Sequence, residues 1–233
     1  MTARPAKGGG RRVAVPPERL NRWIDGFAAR HGPFEATGST TEVRLVARDG
    51  AVATFSVPFP PLRAGGRWVS SLVTHAQRRR VLGVVLVRMG GYAAGVFDGA
   101  DLVASKVGSR LVQGRTAAGG WSQQRFARRR ANQADKAFEA AADTVVRVVV
   151  PRLGELEGVV FGGDRKAVDA LRADRRLAGV FDLETGPFLT VPDPRLAVLQ
   201  ASPEQFRAVT VHIAEPAEAP EHAPGLERAA GPE

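Results

Sequence analysis

The chain has 233 residues, 44% of them hydrophobic, which suits one large folded domain or two small ones and excludes a wholly disordered chain. Its longest apolar runs, such as 81–87, fall far short of the roughly 20 residues that cross a bilayer, and the basic N-terminus has no apolar stretch behind it to make a secretory signal, so the cytoplasm is the expected compartment. Lys and Arg number 33 against 24 Asp and Glu, a net charge of +9 that points to a polyanionic partner such as nucleic acid; with no cysteine, disulfides, thiolate metal sites and cysteine nucleophiles are excluded.

Residues 1–12 are Gly-rich and basic, with Arg4, Lys7, Arg11 and Arg12, and read as a disordered arm. Pro16-Pro17-Glu18 opens a helix to about Arg30, with Leu20, Trp23, Ile24 and Phe27 on one stripe, and His31-Gly32-Pro33 ends it. Two alternating segments, 42–47 and 52–57, flank Asp49-Gly50, a hairpin signal, and a short helix is expected over about 69–80. These elements make a small N-terminal α+β module over 13–80.

The β-branched run 81–88 predicts a buried strand, Gly90-Gly91 turns it into 92–97, and Asp98-Gly99 turns that into 102–109. A Gly/Ala-rich loop, 113–124, precedes a long helix over about 125–148, whose apolar face is Phe126, Ala134, Phe138, Ala141 or Ala142, Val145 and Val149. A strand over 158–161, a turn at Gly162-Gly163-Asp164 and a helix over 165–177 follow. Strands over 188–191 and 209–213, with short helical segments near 195–199 or 203–207 between them, complete the folded part. Three antiparallel strands, then helix, strand, helix and strand, is the order of a ribonuclease-H-like α/β layer over 81–214. The stretch 215–233 holds five acids and four prolines and reads as a disordered acidic tail.

Charge concentrates in one place. Residues 106–136 carry eight basic residues and the single acid Asp135, on one loop and the first turns of one helix. Arg125, Arg128, Arg129 and Asn132 fall opposite Phe126, Ala134 and Phe138, so the helix buries one side and shows a cationic one. A solvated face is the bland account of such a run. The loop before it argues for more: Gly114, Gly119 and Gly120 admit backbone conformations closed to other residues, and Ala117 and Ala118 add no bulk. Gln123 and Gln124 sit where loop meets helix, and an amide there can hold and orient a water. A linker ending in a helix-starting Ser122 is the alternative, with Arg125 in place of the Glu or Gln of a capping box.

The run Gly119-Gly120-Trp121-Ser122-Gln123-Gln124-Arg125-Phe126-Ala127-Arg128-Arg129-Arg130 resembles the loop-and-helix signature of the Vms-like release factors, in particular the short actinobacterial type. Those factors are similar to the middle domain of eukaryotic and archaeal class-one peptide release factors, whose Gly-Gly-Gln loop enters the peptidyl transferase centre. The resemblance takes in most of 13–214, and its specific part is the dozen residues quoted. It implies a ribonuclease-H-like, release-factor middle-domain-like core. The implied activity is peptidyl-tRNA hydrolysis on stalled large ribosomal subunits, in ribosome rescue and quality control. The implied partners are large-subunit rRNA and P-site peptidyl-tRNA, with the protein a monomer, no membrane, no metal and no cofactor.

Carried over, the catalytic glutamine maps best to Gln123, which follows Gly-x-Ser, with Gly119 and Gly120 as the loop glycines. Trp121 stands inside the motif where relatives often have a small residue, and Gln124 duplicates the amide, leaving the register open by one. Arg115, Trp121, Arg125, Arg128, Arg129 and Arg130 are the implied RNA contacts, Trp121 by stacking or by plain packing. The zinc fingers and ankyrin repeats of larger relatives have no counterpart in a chain without cysteine or repeats.

Three other readings remain. A nuclease at the tRNA 3' end needs clustered carboxylates, whereas Asp98, Asp101, Asp164 and Asp182 occupy separate turns. A non-catalytic RNA- or ribosome-binding factor would have no need of Gln123. A DNA-binding regulator is the weakest, because no helix-turn-helix pattern precedes the basic helix. Gly162-Gly163-Asp164-Arg165-Lys166 lacks full phosphate-loop spacing and reads as a strand-to-helix turn. The 78–80 arginine run suits a helix C-terminus, and His75 reads as a surface or helix-face residue.

Overall fold

The computed structural model describes residues 4–5, 10–88, 90–109 and 122–216, with side chains described at all of these except 4–5, 122–132 and 134. Among the described residues the strands form two sheets.

The first sheet has strand order β1-β2-β10-β5-β4-β3 and is antiparallel throughout. Its strands are β1 (Arg4–Pro5), β2 (Arg11–Val15), β3 (Phe34–Gly38), β4 (Glu42–Ala47), β5 (Val52–Ser56) and β10 (Val209–Ala214). Strand alternation sends Val43, Leu45, Phe55, Val211 and Ile213 to one face. There α1 (Leu20–His31) packs Leu20, Ile24 and Phe27, and α2 (Trp68–Gln77) packs Leu72, Val73 and Ala76. Trp23 lies parallel to Phe27 at 5.9 Å and meets Phe55 edge-on at 5.3 Å, which locks α1 to the sheet. The hairpin at Asp49-Gly50 forms as its sequence predicts: Gly50 takes φ +92°, and Asp49 Oδ1 accepts from the Ala51 N–H at 2.9 Å.

Three sequence expectations change here. β3 was unforeseen, because its alternation is short: only Phe34 and Ala36 pack on the core, with Glu35 and Thr37 exposed between and after them. The strand near 209–213 forms, but it does not complete the ribonuclease-H-like layer. It fills the slot between β2 and β5, where both its edges find partners and Val209, Val211 and Ile213 are buried in the first core. Arg11 and Arg12, assigned by composition to a basic arm, lie in β2 opposite β10.

The second sheet has strand order β8-β7-β6-β9. β6 (Val81–Arg88), β7 (Gly91–Asp98) and β8 (Asp101–Ser109) form an antiparallel meander. From β8 the chain runs to α3 (Ser122–Val148), a 3-10 turn at Val150–Glu155, and β9 (Gly158–Gly163), which pairs parallel to β6. The three-stranded meander, the helix and the parallel strand follow the ribonuclease-H-like order expected from the sequence, in a mixed α/β fold, whereas the last strand of that expectation, β10, lies in the first sheet. One face of this sheet, with Val85, Val87, Ala94 and Val96, is covered by α3 and by α4 (Arg165–Leu171). The other face, with Leu82, Val84, Leu86 and Phe97, meets Leu199 of α6 (Leu196–Gln200), Phe206 of α7 (Pro203–Phe206) and Phe59.

The helix expected over 165–177 is divided. α4 stops at Leu171, and the Asp174 carboxylate accepts from the Arg176 N–H at 3.0 Å to open a separate 3-10 turn, Arg175–Leu177, which leads into α5 (Ala178–Asp182). The strand expected over 188–191 reduces to one parallel bridge, Gly162 to Leu189, between Pro187 and Pro192, which lack the N–H a ladder needs.

Candidate functional site

The loop-and-helix segment that carries the resemblance leaves the second sheet at β8 and returns as α3. Two contacts fix where the junction sits. Tyr92 lies across Gly108, one residue before β8 ends, where a Cβ would stand 2.4 Å from the Tyr92 ring. Only glycine allows that crossing. On the other side of the junction, α3 packs through Ala137, Ala141, Ala142, Val145 and Val148. Asp143 accepts from Arg176 Nη1 at 2.8 Å, and Arg176 also holds Asp174 at 2.6 Å, which pins the packed half of α3 to the 3-10 turn below it. These two carboxylates, Asp174 first, raise the Arg176 pKa above its ordinary value.

The first buried position on α3 whose side chain is described is Ala137. Helix 122–136 precedes it, about 22 Å of backbone at 1.5 Å per residue. The strongly cationic part of the chain belongs to this segment and to the residues before it in the sequence. Lys106 is half-buried and pairs in register with Ala94, which faces α3, so a cation reaches the junction from β8 as well.

The sequence-predicted site residues fall into two groups. Arg115, Gly119, Gly120 and Trp121 lie outside the described residues. Gln123, Gln124, Arg125, Arg128, Arg129 and Arg130 lie in the helical backbone of α3, and their side chains are likewise outside the described residues. The helix begins at Ser122 rather than near Arg125. Both glutamines therefore belong to its first turn, where backbone N–H groups have no intrahelical acceptor.

The competing carboxylates have other work. Asp98 and Asp101 accept from Arg79 at 2.6 and 2.9 Å. Asp164 caps α4 by accepting from the Lys166 N–H at 2.9 Å, so the Gly162–Lys166 stretch is the strand-to-helix turn expected. Among the described residues no three His, Cys, Asp or Glu side chains gather as a metal site. The 78–80 run separates into three jobs. Arg78 pairs with Glu157 at 2.7 Å, Arg79 holds the β7–β8 turn, and Arg80 folds back on the last turn of α2, donating to the His75 carbonyl at 2.9 Å. His75 Nε2 donates to the Pro58 carbonyl at 2.8 Å, so this side chain is half-buried and structural.

Arg63 and Arg67, on the cleft beside α2, were not singled out by the sequence reading. The signal was there: no Asp or Glu occurs from residue 50 to residue 97.

No helix among the described residues is long and apolar enough to cross a membrane. No curated protein matches the chain. Solved structures similar to it include two translation factors. One is an archaeal translation termination factor, aRF1, at 14% identity over 88% of this chain and 68% of that one, with a TM-score of 0.43. The other is S. cerevisiae Dom34, described as a translation termination-like factor involved in RNA quality control pathways, at 9% identity over 89% and 69%, with a TM-score of 0.33. The family model described as Actinobacteria/chloroflexi VLRF1 release factor matches residues 80–212. That span is more than half of the chain and takes in the whole second sheet, α3 and the Gly119–Arg130 run, so the chain belongs to this release factor family.

Proposed function

We propose that the protein is a cytoplasmic peptidyl-tRNA hydrolase that frees nascent chains from stalled large ribosomal subunits. The observation that carries this reading is the Gly119–Arg130 run, lying inside the family match and continuing from Ser122 onward as the first turns of α3. The bond attacked is the ester joining the peptide to the terminal ribose of a P-site tRNA. Hydrolysis needs a water held near the ester carbonyl, a donor for the developing oxyanion and exclusion of other water.

Gln123 positions that water, through its side-chain amide or its first-turn N–H. Gly119 and Gly120 let the loop enter a narrow site. Arg115, Arg125, Arg128, Arg129 and Arg130 hold rRNA or tRNA phosphates, and Trp121 stacks on a base. These side chains position the loop and leave the chemistry to the amide and to RNA groups, among them the tRNA 2'-hydroxyl. The quoted run contains no His, Asp or Glu, which fits that division of labour. The protein acts as a monomer and recognises the 3' end shared by all tRNAs.

The test is peptide release from purified stalled ribosome–nascent-chain complexes, with wild type, Gln123→Ala and Gln124→Ala compared and binding to the large subunit followed in the same samples. Release by wild type, lost in Gln123→Ala with binding kept, is expected. Loss in Gln124→Ala alone moves the amide by one position. Binding without release by wild type makes the protein a non-catalytic ribosome-associated factor.

A further inference from the structure

A second cationic feature lies between the two sheets. α2 turns Leu72, Val73 and Ala76 to the first core, and its other side walls a cleft of about 1070 Å³, at or above the upper end of the range for small-molecule sites. Arg67, Ser70, Ser71 and Thr74 follow one another along that wall at helical spacing, and Leu82 and Thr185 line the cleft from the second layer. Arg63 and Arg67 stand at the N-terminal end of α2, exposed and, among the described residues, without an ion pair. Arg78 and Arg80 stand at its C-terminal end.

Arg80 is the unusual member. It is 6% exposed. Its Nη1 donates to the carbonyls of His75 and Arg78 at 2.9 and 3.2 Å, and its guanidinium lies 5.2 Å over the Phe59 ring. Among the described residues no carboxylate reaches ion-pair distance of it. Burial, and after it the neighbouring Arg78 charge, hold its pKa below the ordinary guanidinium value. Arg80 Nη2 also lies 3.1 Å from His75 Nε2, so its close partners are two carbonyls, an imidazole and a ring, none of them an anion; a buried cation so placed is destabilising, and an anion in the cleft would offset that. Glu157, the acid among the described lining residues, is already taken by Arg78.

The cations are spread rather than convergent. α2 is about 15 Å long, with arginines at both ends and hydroxyls between them. A single phosphate fits that arrangement poorly. A nucleic-acid strand, with a phosphate every few ångströms, fits it well. We propose that the cleft along α2 binds the phosphodiester backbone of single-stranded RNA. Arg63 and Arg67 neutralise phosphates at one end, Arg80 faces one at the other, and the exposed Thr74 hydroxyl donates to a backbone oxygen between them. Leu82 and Phe59 belong to the core on the sheet face turned away from α3, so this contact is separate from the cationic segment of α3. It goes beyond the proposed hydrolase and does not depend on Gln123.

The experiment uses the full chain and a fluorescent single-stranded RNA 12-mer of mixed sequence, with affinity measured against salt concentration. Arg63→Gln/Arg67→Gln is expected to bind about tenfold more weakly at low salt, and to lower the log–log salt slope by about 1.4. Thr74→Trp, which obstructs the cleft at unchanged charge, is expected to weaken binding too. Both variants should keep the wild-type melting temperature. All are compared in the Arg128→Gln/Arg129→Gln/Arg130→Gln background, which weakens the separate cationic segment of α3 so that the cleft's own affinity is read. Unchanged affinity and slope in both cleft variants overturns the proposal. Equal competition by polyglutamate of matched charge also overturns it, in favour of an acidic polypeptide. Ribosomes are absent from the assay, so failure of peptide release leaves its result standing.

Discussion

In the proposed mechanism an amide at Gln123 or Gln124 would hold water against an ester without taking a proton. Gln123→Ala should cut peptide release about 100-fold or more, the usual scale for losing one donor aimed at a developing charge, with subunit binding unchanged. Residue identity alone singles this position out as a candidate, since Gly-Gly-Trp-Ser-Gln-Gln is a local word. Arg80 was not legible in the same way. Its sequence neighbours suggested a helix end, and only the packing of Phe59 and the α2 carbonyls around it turns it into a buried cation. Asp49 shows a smaller effect with a definite sign. The Ala51 N–H, and after it His31 at 2.8 Å, hold its carboxylate pKa below the ordinary value. Its contribution is therefore present above the ordinary carboxylate range, near pH 4, and lost as pH falls through the lowered value. Thermal melts from pH 5 down to pH 2 should show wild type losing more stability than Asp49→Asn.

Elements with strong local signals formed where the sequence put them: the 42–56 hairpin, the 81–109 meander and the packed half of α3. Those decided by tertiary partners did not. β3 needed β4, and the 188–191 strand lost its ladder to two prolines. The end of β9 illustrates a strict local requirement. Gly163 takes φ +104°, and a Cβ there would stand 2.1 Å from the Val87 carbonyl oxygen. Gly163→Ala combines a left-handed backbone penalty with a backbone clash, and should lower stability by roughly 2–4 kcal/mol. Urea unfolding measures this, and a loss under 1 kcal/mol would mean that the β9–α4 turn relaxes freely. For α3 the consequence is functional. Arg128→Gln/Arg129→Gln/Arg130→Gln should weaken ribosome binding most at low salt and flatten its salt dependence, while the release rate at saturation stays near wild type.

At the scale of the molecule, β10 is the piece that the sequence placed in the wrong layer. Its Val-x-Val-x-Ile alternation announced a half-buried strand, but nothing in 209–214 says which sheet owns it, because partner choice is set by the open slot between β2 and β5. This closure ties the two layers into one chain path, and the first core should not survive without it. Val211 is fully buried, so Val211→Asp should abolish cooperative folding rather than shift it. In the wild type, unfolding followed by tryptophan emission, to which Trp23 and Trp68 on the first core contribute, should coincide with unfolding followed by backbone dichroism. Separated transitions would mean that the layers unfold independently.

The pairing of Arg12 with His212, 200 residues apart, also sets an order of events at birth. During synthesis the first sheet stays open beside β2 and β5 until 209–214 emerge, while the whole of the second layer is being made. At about 5–20 residues per second that wait lasts on the order of 10 s or more, with two strand edges and an apolar face exposed. A folding helper that shields unpaired edges should therefore bind this chain late in translation and leave only after its last strand has docked.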